Sequence, residues 1–410
     1  MSKRTLRPSR SKLHNYFVSA GAKETALGTA QTVDAALLMN RAVFPSHGAE
    51  IVTDEGKVSG KPGVSRTQAV TQDLMLDYAI DQLTFFELGF LLAYTFGPQN
   101  KTAILTDPSD DTTDQADDSK YLKFIYTPPL ANSIDVTPFT FEHWKNSADG
   151  SEDMARFSGG YIDSLSLAMN RGGNRLVNAS GQMGFKKYEK WEAHNTTGNM
   201  TTEPTFPDIK DGFLKAVNEK PMNGAQGNVW LGQTTLLSSQ KANIGGNLIN
   251  LAAPALTATT NNDISEAAQS ATLNFSNNVS RGYRPGGGSE ISLARRSDPT
   301  RTLDLALEYA TQAEVKALND QVDYAFQWNI FGDAITSDPV IANTKFGFSL
   351  VIPRMRIATY DESEDEGIVN ADINFTIMDD VAGNADHAIY AVLWLESPDP
   401  SSENDYKFAA

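Results

Sequence analysis

The side chains that could do chemistry are scattered along this chain. The five histidines, His14, His47, His143, His194 and His387, lie far apart. None stands in an HExxH pattern or at the i, i+4 spacing that a helical zinc site needs. Cysteine is absent, which excludes thiolate nucleophiles, disulfides and cysteine zinc sites. There is no GxSxG elbow and no GxGxxG turn. Gly286-Gly287-Gly288 lacks the lysine and the strand-to-helix setting of a phosphate loop, and reads as a flexible loop. Two acidic runs invite a calcium reading: Asp107, Asp110, Asp111, Asp114, Asp117 and Asp118, and then Asp361, Glu362, Glu364, Asp365 and Glu366. Neither has the EF-hand spacing, so both read as solvated loops. Asn195-Thr196-Thr197 and Asn199-Met200-Thr201 have the form of glycosylation acceptors, which count for little without a secretory signal. The residues therefore predict no catalytic centre, no metal, no cofactor and no enzyme.

The charge balance also narrows the partners. The 410 residues carry 51 Asp and Glu against 34 Lys and Arg, a net charge of −17. Such a surface repels nucleic acid. With 40% hydrophobic and 21% charged residues the chain can bury real cores. The opening basic stretch, Lys3, Arg4, Arg7, Arg10 and Lys12, has no apolar run behind it and does not read as a secretory signal. No stretch approaches a membrane span. One segment reverses the general sign. Arg281 to Arg301 holds Arg281, Arg284, Arg295, Arg296 and Arg301 against Glu290 and Asp298, in a Gly-rich context. A long basic loop on an acidic protein suits docking onto another copy.

The elements that would position these residues follow a pattern written twice. Asp73–Ala79 reads DLMLDYA and Asp304–Ala310 reads DLALEYA. Leu74, Leu76 and Tyr78 match Leu305, Leu307 and Tyr309, the period-2 alternation of a strand with one buried face. A helical pattern follows each. The first, at 80–97, has Asp81 as candidate N-cap and Gly97 past its end. The second, at 311–332, has a Thr311/Glu314 capping box and a stripe of Val315, Leu318, Val322 and Phe326. Both close on Phe-Gly. Alternating strands then recur at 161–169 and 346–358, and again at 177–185 and 369–377. A further strand before each DLxL segment is expected near 36–43 and 272–279.

Strand, strand, helix, strand, strand thus occurs twice, in antiparallel sheets with one wet face. The expected fold class is mainly β, with two β-sandwich domains that each carry one flanking α-helix. Residues 1–20 read as a basic arm, 21–191 as the first domain and 263–410 as the second. Residues 192–262, rich in Asn, Thr and Gly, read as a linker or small inserted region with strands of its own near 229–237.

Several stretches then resemble the tail tube proteins of long-tailed bacterial viruses. KETALGTAQTV resembles the family's opening, and FFELGFLLAYTFG its helix. SGGYIDSLSLAMNRGGNRLVNASGQM resembles its paired strands, and ATLNFSNNVSRGY the strand and turn before its long loop. The matches span most of residues 20–190 and 265–396, and each is a loose pattern. The resemblance implies β-sandwich tube domains, six to a ring, whose inner strands form a continuous β-barrel. It implies rings that stack through long loops around a lumen for the genome. A chain with two such domains would form a homotrimeric ring. The implied partners are other copies of the chain, the tape measure, tail terminator and baseplate proteins, and genomic DNA passing without specific binding, with no membrane. The implied place is the virion tail, assembled in the host cytoplasm.

Within that resemblance, Asn178, Gln182, Asn370, Asp372 and Asn374 are expected to face the lumen. They form the polar faces of VNASGQMGF and VNADINFTI. Arg281, Arg284, Arg295 and Arg296 are expected to contact the neighbouring ring. Two other readings stand beside this one. The first is another virion structural component, such as a distal tail, baseplate or capsid decoration protein. The second is an extracellular carbohydrate-binding or adhesive β protein.

Overall fold

The structure, a computed structural model, describes residues 14–39, 46–54, 66–97, 101–104, 121–128, 135–146, 152–171, 175–192, 220–233, 263–283, 290–308, 320–334, 345–365, 368–379 and 387–396. The first half holds β1 (His14–Val18), β2 (Ala35–Ala36), β3 (Ser46–Asp54), β4 (Arg66–Ile80), α1 (Phe85–Phe96), β5 (Lys101–Ile104), β6 (Tyr121–Tyr126), β7 (Phe139–Asn146), β8 (Glu152–Asn170), β9 (Val177–Phe185) and β10 (Lys187–Glu192). Then come β11 (Val229–Gly232), β12 (Ala268–Ser276), β13 (Ser280–Gly282), β14 (Leu293–Arg295), β15 (Thr300–Glu308), β16 (Asp323–Ala334), β17 (Lys345–Asp365), β18 (Ile368–Ile377) and β19 (Tyr390–Glu396). The protein is mainly β, and every strand pairing among the described residues is antiparallel.

Eight strands form one run in the order β3-β4-β9-β8-β12-β15-β18-β17. Alternation decides what this sheet covers. Leu74, Leu76 and Tyr78 of β4, Leu165 and Leu167 of β8, Leu273 of β12, Leu303 and Leu305 of β15 and Phe375 of β18 are buried in a single apolar cluster. The residues between them point the other way and are mostly polar.

Two strands are long because they serve two sheets. In β8, the part up to Gly160 pairs with β7 and β10, and the part from Tyr161 pairs with β9 and β12. The turn from one sheet to the next falls at Gly159, whose φ of +67° a side chain rarely adopts. β17 does the same. Its first part pairs with β16 and β19, and its last part with β18. The outer strands form two groups, β2-β1-β7-β8-β10 and β11-β16-β17-β19-β6-β5.

The halves interlock. β6, from the first half, completes the outer sheet of the second through Phe124↔Leu393, and β12 continues the sheet of the first through Leu273↔Leu167. β11, from the region between them, pairs with β16. β1 pairs with β7, so His14–Val18 of the N-terminal arm belong to a sheet.

The first expected helix is present and buried on every side, as its run of Phe and Leu requires. Its N-cap is Thr84 instead of Asp81. The Thr84 hydroxyl accepts from the Glu87 N–H while the Glu87 carboxylate accepts from the Thr84 N–H, a closed capping box. Asp81 loses because it lies three residues too early to reach the first free N–H groups of the helix. Gly97 follows the last turn with φ +111°, as expected.

The second expected helix is corrected over its C-terminal part. Asp323–Ala334 is strand β16, and residues 309–319 lie outside the described set. The sequence DYAFQWNIF carries Tyr324, Phe326, Trp328 and Ile330 at period 2. All four are buried on one face, and β-branched and aromatic residues favour this state. Phe331-Gly332 is therefore not a helix end. Gly332 instead lets the strand approach α1, since a Cβ there would lie 2.6 Å from a Phe85 ring carbon. Of the strand expected near 36–43, Ala36 belongs to β2, 37–39 are not strand and 40–43 lie outside the described residues; β3 pairs with β4.

The capping carboxylate has a consequence for stability. Glu87 is 1% exposed and also accepts from the Leu38 N–H at 2.8 Å. Burial pushes its carboxyl up to about 7, outweighing the hydrogen bonds from Leu38 and Thr84 that favour ionisation. Unfolded glutamate titrates near 4.3. The folded chain thus holds this proton more tightly. Stability from this group is full below about pH 4 and is lost as pH rises to about 7, on the order of 3 kcal/mol. Denaturant unfolding at pH 4.5 and 7.5 should show the loss, and Glu87→Gln should flatten it. An unchanged slope in that variant would move the effect to other carboxyls.

Candidate functional site: the polar face of the eight-stranded sheet

The face opposite the core is built by the same alternation that buries Leu and Ile. β9 presents Asn178, Ser180 and Gln182. β18 presents Asn370, Asp372 and Asn374. All five residues singled out in the sequence thus lie on one face of one sheet, although they come from opposite halves of the chain. β8, β12 and β15 fill the space between them with Ser164, Ser166, Thr272, Asn274, Asp304 and Glu308.

A hydrogen-bonded ladder crosses this face. The Ser166 hydroxyl donates to Asn274 Oδ1 at 2.8 Å, and Asn274 Nδ2 donates to Asp304 Oδ2 at 2.7 Å. Asn374 Nδ2 donates to the other oxygen, Oδ1, of Asp304 at 2.5 Å. The ladder spans β8, β12, β15 and β18, and so crosses the junction of the halves. On the same face Gln182 Nε2 donates to Asp77 Oδ1 at 2.9 Å, and Gln269 Nε2 donates to Glu308 Oε2 at 2.6 Å. The amide of Asn178 donates to the carbonyls of Val177 and Asp81. Asp372 is exposed, with Asp361 opposite it on β17. Two shallow depressions on this face are lined by Thr272, Asp304, Asp361 and Asp372, and by Ser164, Ser166, Asn274 and Thr302.

Arg354 and Arg356, two residues apart on β17, both bring a guanidinium to Asp323, and Arg301 lines one of the two depressions. Arg354 reaches the same carboxylate at 3.0 Å. Burial raises the Asp323 carboxyl, but the two guanidinium groups outweigh it and hold it below its usual range. Arg301 lies beside the face, over the Phe275 ring and 2.5 Å from Asp379. Among the described residues, this face carries no nucleophile–base pair, and no group of three potential metal ligands occurs.

The basic loop has more structure than a flexible segment. β13 and β14 form a hairpin, with Arg281 opposite Ala294. Arg295 extends it by a bridge to Asp135, its Nε 3.9 Å from the carboxylate. Arg296 turns inward. Its Nη2 donates to the Thr95 carbonyl at 3.1 Å, in the last turn of α1, where Asn277 also donates. Burial pulls its guanidinium down to about 10, partly offset by Asp135. Arg296 therefore anchors the hairpin to the helix within the chain, and Arg295 is the more exposed member of the pair. Arg284 lies outside the described residues.

Two features of the site had weak signals in the sequence. Asp304 is only the first residue of DLALEYA, with nothing to mark it as the centre of a ladder. The β3–β4 hairpin is the second. From Leu74 onward β4 pairs with β9, whereas its preceding eight residues, Arg66–Asp73, pair with β3 alone among the described residues. At ~3.4 Å per residue the hairpin projects about 27 Å beyond β9.

The chain matches no family model, and a search of curated proteins finds no match either.

Proposed function

We propose that this chain is a tube-forming structural subunit of a viral tail, with the polar face of the eight-stranded sheet as the wall of its bore. The observation that carries the reading is the sheet itself. It has one apolar covered face, one acidic face and, among the described residues, two open edges at β3 and at the last part of β17. Because eight is even and every pairing is antiparallel, the two edge strands run in opposite directions. A neighbouring copy rotated about an axis can then add its β3 to this β17 as one more antiparallel pair. Repeated, the operation closes a barrel and removes the exposed edges.

The same strand order in both halves, β3-β4-β9-β8 and β12-β15-β18-β17, favours a duplicated tube domain. The register is not identical. Leu74 stands opposite Phe185, but its match Leu305 stands opposite Ile373, four residues short of Ile377. An even shift keeps every side chain on its face. Three copies would give 24 strands, from eight each. With strands ~4.8 Å apart and tilted ~40°, the backbone circle is about 48 Å wide and the bore about 38 Å, ample for a DNA duplex. Six whole chains would double the backbone circle and more than double the bore.

Rings that stack head to tail without closing would make a filament. The projecting β3–β4 hairpin and the Arg281–Arg295 hairpin are the segments suited to bridge rings. In this reading the chain is not an enzyme and needs no cofactor. Its partners are its own copies, the tape measure, terminator and baseplate proteins, and the genome in transit through the virion tail.

Electron microscopy of the concentrated protein tests this. Hollow filaments with threefold rings are expected. Solid fibres, or rings of six whole chains, would overturn the reading.

A further inference from the structure

Four amide side chains of the polar face are turned onto carboxylates, and Asp304 holds two of them. Asn274 and Asn374, on the strands either side of β15, each give an N–H to one of its oxygens. Gln182 and Gln269 are held in the same way by Asp77 and Glu308. A carboxamide free to rotate offers two donors to a phosphate oxygen. A carboxamide spent on a carboxylate presents fewer, in a fixed direction, with a negative charge beside it. Such charge-assisted bonds outcompete a passing ligand.

We propose that Asp304 is a positioning residue that withdraws the donors of Asn274 and Asn374 from the face, so that a polyanion moving along it meets fewer free amide donors beside the carboxylates. The inference rests on the reading of this face as a bore. It adds that low adhesion comes from built hydrogen-bond geometry, and not from net charge alone.

Charge and geometry separate experimentally, because Asp372 is exposed on the same face and its neighbour Asn374 is turned onto Asp304 instead. Asp304→Ala and Asp372→Ala each remove one negative charge, but only the first releases two donors. The measurement is binding of a short DNA duplex to the unassembled protein at low salt. Asp304→Ala should bind at least about fivefold more tightly than Asp372→Ala, the effect of two modest hydrogen bonds. Adding Asn274→Ala and Asn374→Ala to Asp304→Ala should abolish the excess. Equal affinity of the two single variants, or an excess that survives loss of both asparagines, would overturn the inference. If Asp304→Ala does not unfold cooperatively, Asp304→Asn against Asp372→Asn replaces the pair. Asn274 and Asn374 bond opposite oxygens of Asp304, so Asp304→Asn turns an NH2 group to one of them and can hold only the other. The excess is then again expected, and equality again overturns the inference. Tube formation is scored separately by microscopy, so this inference and the bore reading can fail independently.

Discussion

Proline at Glu362 and proline at Ser363 are expected to have opposite effects, one abolishing polymer growth and the other weakening the fold. Both residues lie in the last part of β17, where β18 is the one neighbour among the described residues, through Glu362↔Ala371 and Ser363↔Asn370. Successive residues of a strand send their N–H groups to opposite sides. One of the two therefore donates into the β17–β18 ladder, and the other points to the open edge. Proline removes the N–H and places its ring on that side. At the outward position the monomer should keep its unfolding midpoint while filaments disappear, because one ladder bond is lost at every joint of the ring. At the inward position the midpoint should fall. Sedimentation for polymer and denaturant unfolding for stability read the two effects apart. Normal filaments from both variants would mean that the β17 edge is not the joint.

The largest loss of stability is expected from Gly159→Val. Gly159 sits at φ +67°, where β8 leaves the outer sheet for the eight-stranded one. A Cβ there would fall 2.6 Å from Lys186 Cβ and 3.0 Å from the Gly28 nitrogen. The Gly159 N–H also donates at 2.9 Å to Glu24, a buried carboxylate that further accepts from Thr140 and from the Gly28 N–H. A β-branched residue in this conformation costs roughly 1–3 kcal/mol in backbone strain. Forcing apart packed backbone adds roughly 1–3 kcal/mol. A combined loss of about 2–6 kcal/mol should appear as a lowered urea midpoint. Gly159→Ala should lose somewhat less. A midpoint unchanged in Gly159→Val would show that the bend tolerates an ordinary residue.

The strands were legible where one face is buried and the next residue is not. Leu74, Leu76 and Tyr78 announce β4, Leu305 and Leu307 announce β15, and Ala371, Ile373 and Phe375 announce β18, because burial at period 2 leaves its mark on residue type. The helix was legible from FFELGFLLAYTF and from Gly97. The misread segment was 323–332. There Val322 and Phe326 satisfy a helical spacing, while Tyr324, Phe326, Trp328 and Ile330 satisfy a strand spacing. A buried strand and a buried helix look alike over so short a run, and the pairing with β17 and β11 decided between them.

The sequence by itself determined the absence of cysteine chemistry, the acidic balance, the class of most of the elements and which residues of each strand share a face. Those are properties of residue type and of local spacing. Tertiary structure alone decided which faces meet. Nothing in the sequence placed Asn274 and Asn374 either side of Asp304, brought β6 beside β19, or turned Arg296 inward onto α1. Strand pairing joins residues far apart in the chain, and neither hydrogen-bonded backbone nor a polar side chain facing water leaves a local pattern that names its partner.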